Sequence, residues 1–425
     1  MDPDSDSVDG LQARPQPTAS CAPQCDGDRL GKFPSNRKRG LCDLGARAVR
    51  QRCTGLLRIT VVALIMIIGG GVAMSEEVRK VSGVSAWKPK DHVRAFYSGH
   101  SLSDGIPEGV EEIASSLRHR LDYETQSMGY SLLRQRTKGE AASAAEWPGY
   151  RAGHNRKSAG LDVAAELREP RRLVPGEKYD VLVVTERHDL PAIARKERTA
   201  FYLTDMARHL LTGNPDAEVL LYHTWLNLDL DAPWPWIDYE RAVLPMWECV
   251  ASRANLDLPT RGNVPRVRVL PGAGALAELA AALWEGKVPG VGGNPGERVR
   301  LLFSDNVHMS EAGRYFIALL HYTVLFGRNP EGAAIPPSLA PETGRYMQTL
   351  AWQYAFSYGQ RADAAARRDM AACRALMQNE VCPAFAALQS KGIAGLATLR
   401  QLFDIYRCRR EYADAHDSDN PFASK

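Results

Sequence analysis

Apolar residues recur along this chain with two different periods. Short runs at residues 93–97, 179–185, 217–222 and 266–270 are continuously apolar or alternate apolar with polar, and each gives way to Gly, Ser, Glu, His or Pro. Such runs predict strands. Residues 126–133 read as a further short strand and turn. The run 179–185 holds Val181, Leu182, Val183 and Val184, a β-branched stretch suited to a central parallel strand buried on both faces. Between the runs the spacing changes to that of helices. Val110, Ile113, Ala114, Leu117 and Leu121 place one over residues 106–123; others fall at 199–211, 242–256, 273–285 and 310–327, the last with Ser310 as N-cap. Strands alternating with helices predict a three-layer α/β/α sandwich around a mainly parallel sheet, with strands near Val93, Gln126, Val181, Val219 and Val267. Residues 134–178 read as a long polar loop with a helix near 160–168. After a Pro-rich joint at 335–341 the strand pattern stops, and residues 340–412 read as a helical extension of a domain spanning 91–330.

The N-terminal part has a different character. Residues 1–45 are rich in Asp, Ser, Pro, Gln and Arg, without apolar periodicity, and read as a disordered extension. In the segment 46–74, Arg47, Arg50, Arg52 and Arg58 precede an apolar run at 59–72, and Gly71-Val72-Ala73 offers a small-x-small site. That is the layout of a secretory signal peptide, and the run is shorter than the ~20 residues of a spanning helix. Its place well inside the chain suggests a translation start later than Met1; an uncleaved single-pass anchor is the other reading. Both put the rest of the chain outside the cytoplasm: in the periplasm, secreted, or anchored in the inner membrane facing the periplasm.

Composition narrows the function classes. A 44% apolar and 24% charged chain of 425 residues is globular, and 53 basic against 50 acidic residues, a net +3, give no electrostatic footprint for nucleic acid. Cys21 and Cys25 lack a matching Cys or His pair, so no metal site is expected. Cys249, Cys373, Cys382 and Cys408 are an even set in an exported chain and predict one or two disulfides. A bridge within the C-terminal region, among Cys373, Cys382 and Cys408, is the favoured pairing.

Candidate chemistry sits at two strand or loop ends. The run 93–97 breaks into Ser98-Gly99-His100-Ser101-Leu102 before a helix, which presents Ser101 at the carboxyl edge of the sheet, where open α/β sheets place ligands. Much later, Leu301-Leu302-Phe303 leads into Asp305-Asn306-Val307-His308 and another helix. An early Ser and a late Asp-x-x-His can supply nucleophile, orienter and base. Together the two stretches resemble the SGNH (GDSL-type) hydrolase superfamily over roughly residues 91–330, as an exported bacterial branch of it. The first motif reads Gly-His-Ser-Leu in place of Gly-Asp-Ser-Leu.

The resemblance implies a catalytic triad of Ser101, Asp305 and His308, and an oxyanion donor at Gly129. Where the family has Gly-x-Asn-Asp after its third strand, this chain has Glu186-Arg187-His188-Asp189; His188 stands at about the right place to donate instead, and Glu186 to orient a neighbour. Trp225, with Trp234, Trp236 and Tyr239 nearby, offers aromatic faces that could stack on sugar rings. Each residue also has a structural alternative: turn geometry for Gly129, pairing or capping for Glu186 and His188, packing for the aromatics. The implied activity is an exported serine esterase acting on acyl esters, acetyl foremost, of a carbohydrate or small ester substrate, with no metal or organic cofactor. A lipase or thioesterase of the same fold, and a non-catalytic glycan-binding envelope protein, are the alternatives.

Overall fold

In a computed structural model of the protein, the described residues are 86–137, 149–157, 160–390 and 396–424. The extension at 1–45 and the signal or anchor segment at 46–74 lie outside them. Among the described residues no helix is long and apolar enough to cross a membrane.

Strand β1 (His92–Gly99) leads through a 3-10 turn at Ser101–Ser103 to α1 (Ile106–Ser116) and β2 (Arg120–Ser127). A short α2 (Val163–Arg168) precedes β3 (Val181–Thr185), in which every residue is buried. Then come α3 (Leu190–Ile193), α4 (Thr199–Gly213), β4 (Glu218–Tyr222), α5 (Trp234–Asn255), β5 (Val267–Leu270) and α6 (Gly272–Trp284). α7 (Pro295–Arg300) and α8 (Glu311–Phe326) bracket the Asp-x-x-His segment. The C-terminal part is helical as expected: α9 (Pro341–Gly359), α10 (Ala362–Ala365), α11 (Met370–Leu376), α12 (Cys382–Gln389) and α13 (Leu396–Glu411).

The five strands form an all-parallel sheet in the order β2-β1-β3-β4-β5. Parallel neighbours need crossover helices, and right-handed crossovers leading in opposite directions from β1 and from β3 put helices on opposite faces. Accordingly α1 packs with α8 against β1 and β2, while α4 and α5 pack together against β3 and β5. Strand order reverses between β1 and β3, and the region beyond the carboxyl ends there is where open α/β sheets place ligands.

Two elements depart from the sequence pattern. The helix expected over 106–123 ends at Ser116, because Arg118 turns into the left-handed region (φ 63°) and His119 N–H closes on Ala114 C=O at 2.7 Å. The strand expected at 126–133 instead occupies 120–127, where exposed and buried side chains alternate at its start. A helical stripe that includes Leu121 thus mixes residues of two elements. In the C-terminal part, Cys382–Cys408 is the bridge expected within the helices, and Cys249–Cys373 ties α11 to α5. Buried Glu248 on α5 pairs with Arg361 (2.7 Å) and Arg368 (2.5 Å), fastening the extension to the sheet's helical layer.

Candidate active site

The turn after β1 is built for close approach. An added Cβ at Gly99 would collide with Ser103 Oγ, so only glycine lets the chain turn straight off the strand. His100 is buried and caps the turn: its Nδ1 accepts from Leu102 N–H at 3.3 Å, which leaves Nε2–H to donate to Glu186 C=O at 3.1 Å. Burial, followed by the nearby Arg136 charge, pushes the His100 pKa down to about 3, so the ring is neutral. His100 is therefore a cap and a tie between the β1 and β3 ends. Ser101 follows as the first residue of the 3-10 turn, where an N–H has no intrahelical acceptor and is free for a ligand.

The Asp-x-x-His segment is held by backbone and side-chain bonds on both sides. Ser304 N–H donates to His308 C=O at 2.9 Å, Ser310 N–H to Leu302 C=O at 3.0 Å, and Phe303 bridges to Met309. Gly313 lets α8 start against this loop, since a Cβ there would strike Leu302 C=O. From the other side, Trp225 Nε1–H donates to Val307 C=O at 2.8 Å and Leu228 N–H to Asn306 C=O at 2.9 Å.

These supports bring Ser101, His308 and Asp305 into one hydrogen-bonded chain. Asp305 Oδ2 lies 2.7 Å from His308 Nδ1, and His308 Nε2 lies 3.2 Å from Ser101 Oγ. The carboxylate fixes the tautomer: Nδ1 carries the proton and Nε2 is left as the acceptor for the serine hydroxyl. Asp305 Oδ1 also accepts from the N–H groups of Val307 (2.7 Å) and His308 (2.6 Å). These bonds, the His308 N–H foremost, hold the Asp305 pKa down to about 2. Both acid and base side chains stay about half exposed, at 51% and 47%, so the arrangement is open to a large substrate.

The other expected site residues divide. Gly129 lies exposed in the turn after β2, and Met128 N–H donates to Gly99 C=O at 3.0 Å, so the turn abuts the end of β1. His188 is half-buried with its ring 6.3 Å from that of His100. Its Nδ1 is buried without a hydrogen-bond partner. Burial lowers its pKa, partly offset by Asp189, with the charges of Arg187 and His308 adding to the fall. The protonated form of His188 is thus disfavoured, in part by the nearby His308.

Glu186 and Trp225 correct the sequence reading. Glu186 is fully buried, its oxygens taken by the N–H groups of Leu133 (2.9 Å) and Arg187 (2.8 Å) and by Thr199 Oγ1 (2.8 Å). It ties the loops after β2 and β3 together and faces no substrate. Trp225 is 0% exposed, so it cannot stack on a sugar; its indole holds the Asp-x-x-His loop instead. Trp236 and Tyr239 are likewise buried.

Arg136 was not legible in the sequence. It is fully buried, with bonds to Ser98 Oγ (3.2 Å), Ser131 Oγ (2.6 Å) and Thr185 C=O, and it joins the ends of β1 and β3 to the loop after β2. In a polar stretch an arginine reads as solvated, and no local pattern marks this one as buried.

Among the described residues no group of three or more His, Cys, Asp or Glu is arranged to hold a metal ion. No protein-family model matches the sequence. No curated protein matches it either. Among solved structures the chain is similar to a DUF4886 family protein from Bacteroides uniformis, at 14% identity and a TM-score of 0.44, over 62% of this chain and 94% of that one. The likeness lends no residue role to this protein.

Proposed function

We propose that the protein is an exported serine esterase of the SGNH (GDSL-type) kind, which hydrolyses short acyl esters, acetyl foremost, through an acyl-serine intermediate. The observation that carries the reading is the chain Asp305–His308–Ser101, with spacings of 2.7 and 3.2 Å, at the carboxyl edge of β1.

His308 Nε2 takes the Ser101 proton as Oγ attacks the ester carbonyl, and Asp305 steadies the imidazolium that forms. In this reading the tetrahedral oxyanion is met by N–H groups at Ser101 and Gly129, with His188 as the candidate third donor; loss of one such donor costs about 10²–10³ in turnover. His308 returns the proton to the departing alkoxide, which leaves as the alcohol. Water, deprotonated by the same ring, then attacks the acyl-serine and releases the acid. The exported location, periplasmic or secreted, is supported by the disulfides Cys249–Cys373 and Cys382–Cys408, bonds that persist in oxidising compartments.

The test is hydrolysis of p-nitrophenyl acetate and p-nitrophenyl octanoate by the intact chain beside Ser101→Ala and His308→Ala. Wild type should cleave the acetate, prefer it to the octanoate, and lose at least about 10³ in kcat with either substitution. Activity that survives both substitutions would remove the triad from the reaction. A folded wild type inert on both esters would favour a protein that binds glycan without cleaving it.

A further inference from the structure

The turns after β2 and after β3 meet above the end of β1. Tyr130, next to Gly129, is 73% exposed, the highest value among the exposed large hydrophobic side chains described. The Arg187 guanidinium lies 5.4 Å from the centre of its ring. Arg187 is itself fixed by a two-pronged pair with Asp189, at 2.6 and 2.8 Å. In a sheet ordered β2-β1-β3, a contact from the β2 turn to the β3 turn has to pass over the carboxyl end of β1. That end carries Ser101. The Tyr130–Arg187 pair therefore lies at the carboxyl edge of the sheet beside the strand-order reversal, where ligands bind in such sheets.

The tyrosine is held there at a cost. Its φ is +57°, in the left-handed region that non-glycine residues seldom adopt, and such backbone clusters at ligand sites. Packing does not account for it, because the ring is largely in water. The guanidinium backs the ring without enclosing it.

We propose that Tyr130 is a stacking platform for a pyranose ring, so that the esters cleaved at Ser101 are carried on a carbohydrate. The proposal rests on the esterase reading and narrows its substrate class. A sugar asks for one flat apolar face beside polar groups, and Tyr130 exposes such a face with the Arg187–Asp189 pair next to it. A long acyl chain asks for a continuous apolar track. The other exposed large hydrophobics, at Val174, Phe201, Leu256, Val264 and along α13, belong to other elements and lead nowhere from Ser101.

The experiment separates binding from chemistry. The Ser101→Ala chain is titrated calorimetrically with three O-acetylated oligosaccharides, built on xylose, on glucose and on N-acetylglucosamine. Tyr130→Gly and Tyr130→Phe are then added to that background. At least one oligosaccharide should bind; Tyr130→Gly should weaken it tenfold or more, and Tyr130→Phe, which keeps the ring, should restore it. With Ser101 intact, the same substitution to Gly should raise KM on that oligosaccharide tenfold while kcat stays within about twofold. Glycine suits φ +57° better than tyrosine, so a fall in melting temperature is not expected to confuse the result. Binding of none of the three, or binding indifferent to the ring, overturns the proposal. Ring-dependent binding by a chain that hydrolyses no ester keeps the platform and discards the esterase reading.

Discussion

Trp225 shows how a residue can serve a site without touching its substrate. Its indole N–H is the donor to Val307 C=O, one residue before the candidate base, and its own segment hangs from α5, where buried Glu240 accepts from Leu226 N–H at 2.8 Å and Trp236 donates to Leu226 C=O at 2.8 Å. Trp225→Phe keeps the packed ring and removes the bond. It should cost about 1 kcal/mol of stability, since a partly buried carbonyl loses its donor. It should also lower kcat about tenfold with KM little changed, because His308 then wanders from Ser101. Denaturant unfolding and steady-state kinetics on p-nitrophenyl acetate check the two parts; an unchanged kcat would make Trp225 a packing residue only. At this scale the sequence named Ser101, Asp305 and His308 by local pattern, and the structure brings those three together. It did not separate Glu186 and Trp225 from the cleft, because a buried carboxylate and a substrate-facing one look alike until their partners are known.

Elements were legible where one period dominated. β3 is buried throughout and lies where its run lies; α8 begins at the Ser310 cap that the sequence offers. The α1–β2 boundary was not, because helical spacing continued by chance across Arg118. The disulfides belong to this scale as well. Cys249–Cys373 closes 124 residues and Cys382–Cys408 closes 26. By loop-closure entropy the first should contribute roughly 5 kcal/mol and the second roughly 3. Paired Cys→Ser variants, unfolded in denaturant, should reproduce that order. Equal losses would mean that the contacts of Glu248 with Arg361 and Arg368, and not the covalent bond, hold the C-terminal helices to α5.

Across the whole molecule the buried histidines set a pH response. His100, His223 and His321 are fully buried, and burial lowers all three from 6.5 to about 3. Both ring nitrogens of His321 lack hydrogen-bond partners, and the ring packs on Tyr97 and Tyr222. Since the unfolded chain takes up these protons first, stability should be level above about pH 6.5 and fall as pH drops toward 3, by up to about 4 kcal/mol per pH unit for three protons. His321→Phe fills the same space without a titrating group and should cut that slope by about a third between pH 4 and 6, with no loss of stability at pH 7. An unchanged slope in denaturant titrations across that range would show that His321 does not remain neutral in the fold.

The sequence by itself determined the alternation of strand and helix, the all-helical C-terminal part, and the two motifs that carry the candidate triad. Each of these is local: a period, a cap, or a spacing of three residues. Only the tertiary structure decided the strand order, the reversal between β1 and β3, and with it the meeting of Ser101 and His308 across 207 positions of chain. It alone decided which polar groups are sealed in, as with His100, Arg136 and Glu186, and which aromatic faces water. The reason is physical. Burial and hydrogen-bond partnership are properties of a side chain's surroundings, and those surroundings come from residues far away in the sequence.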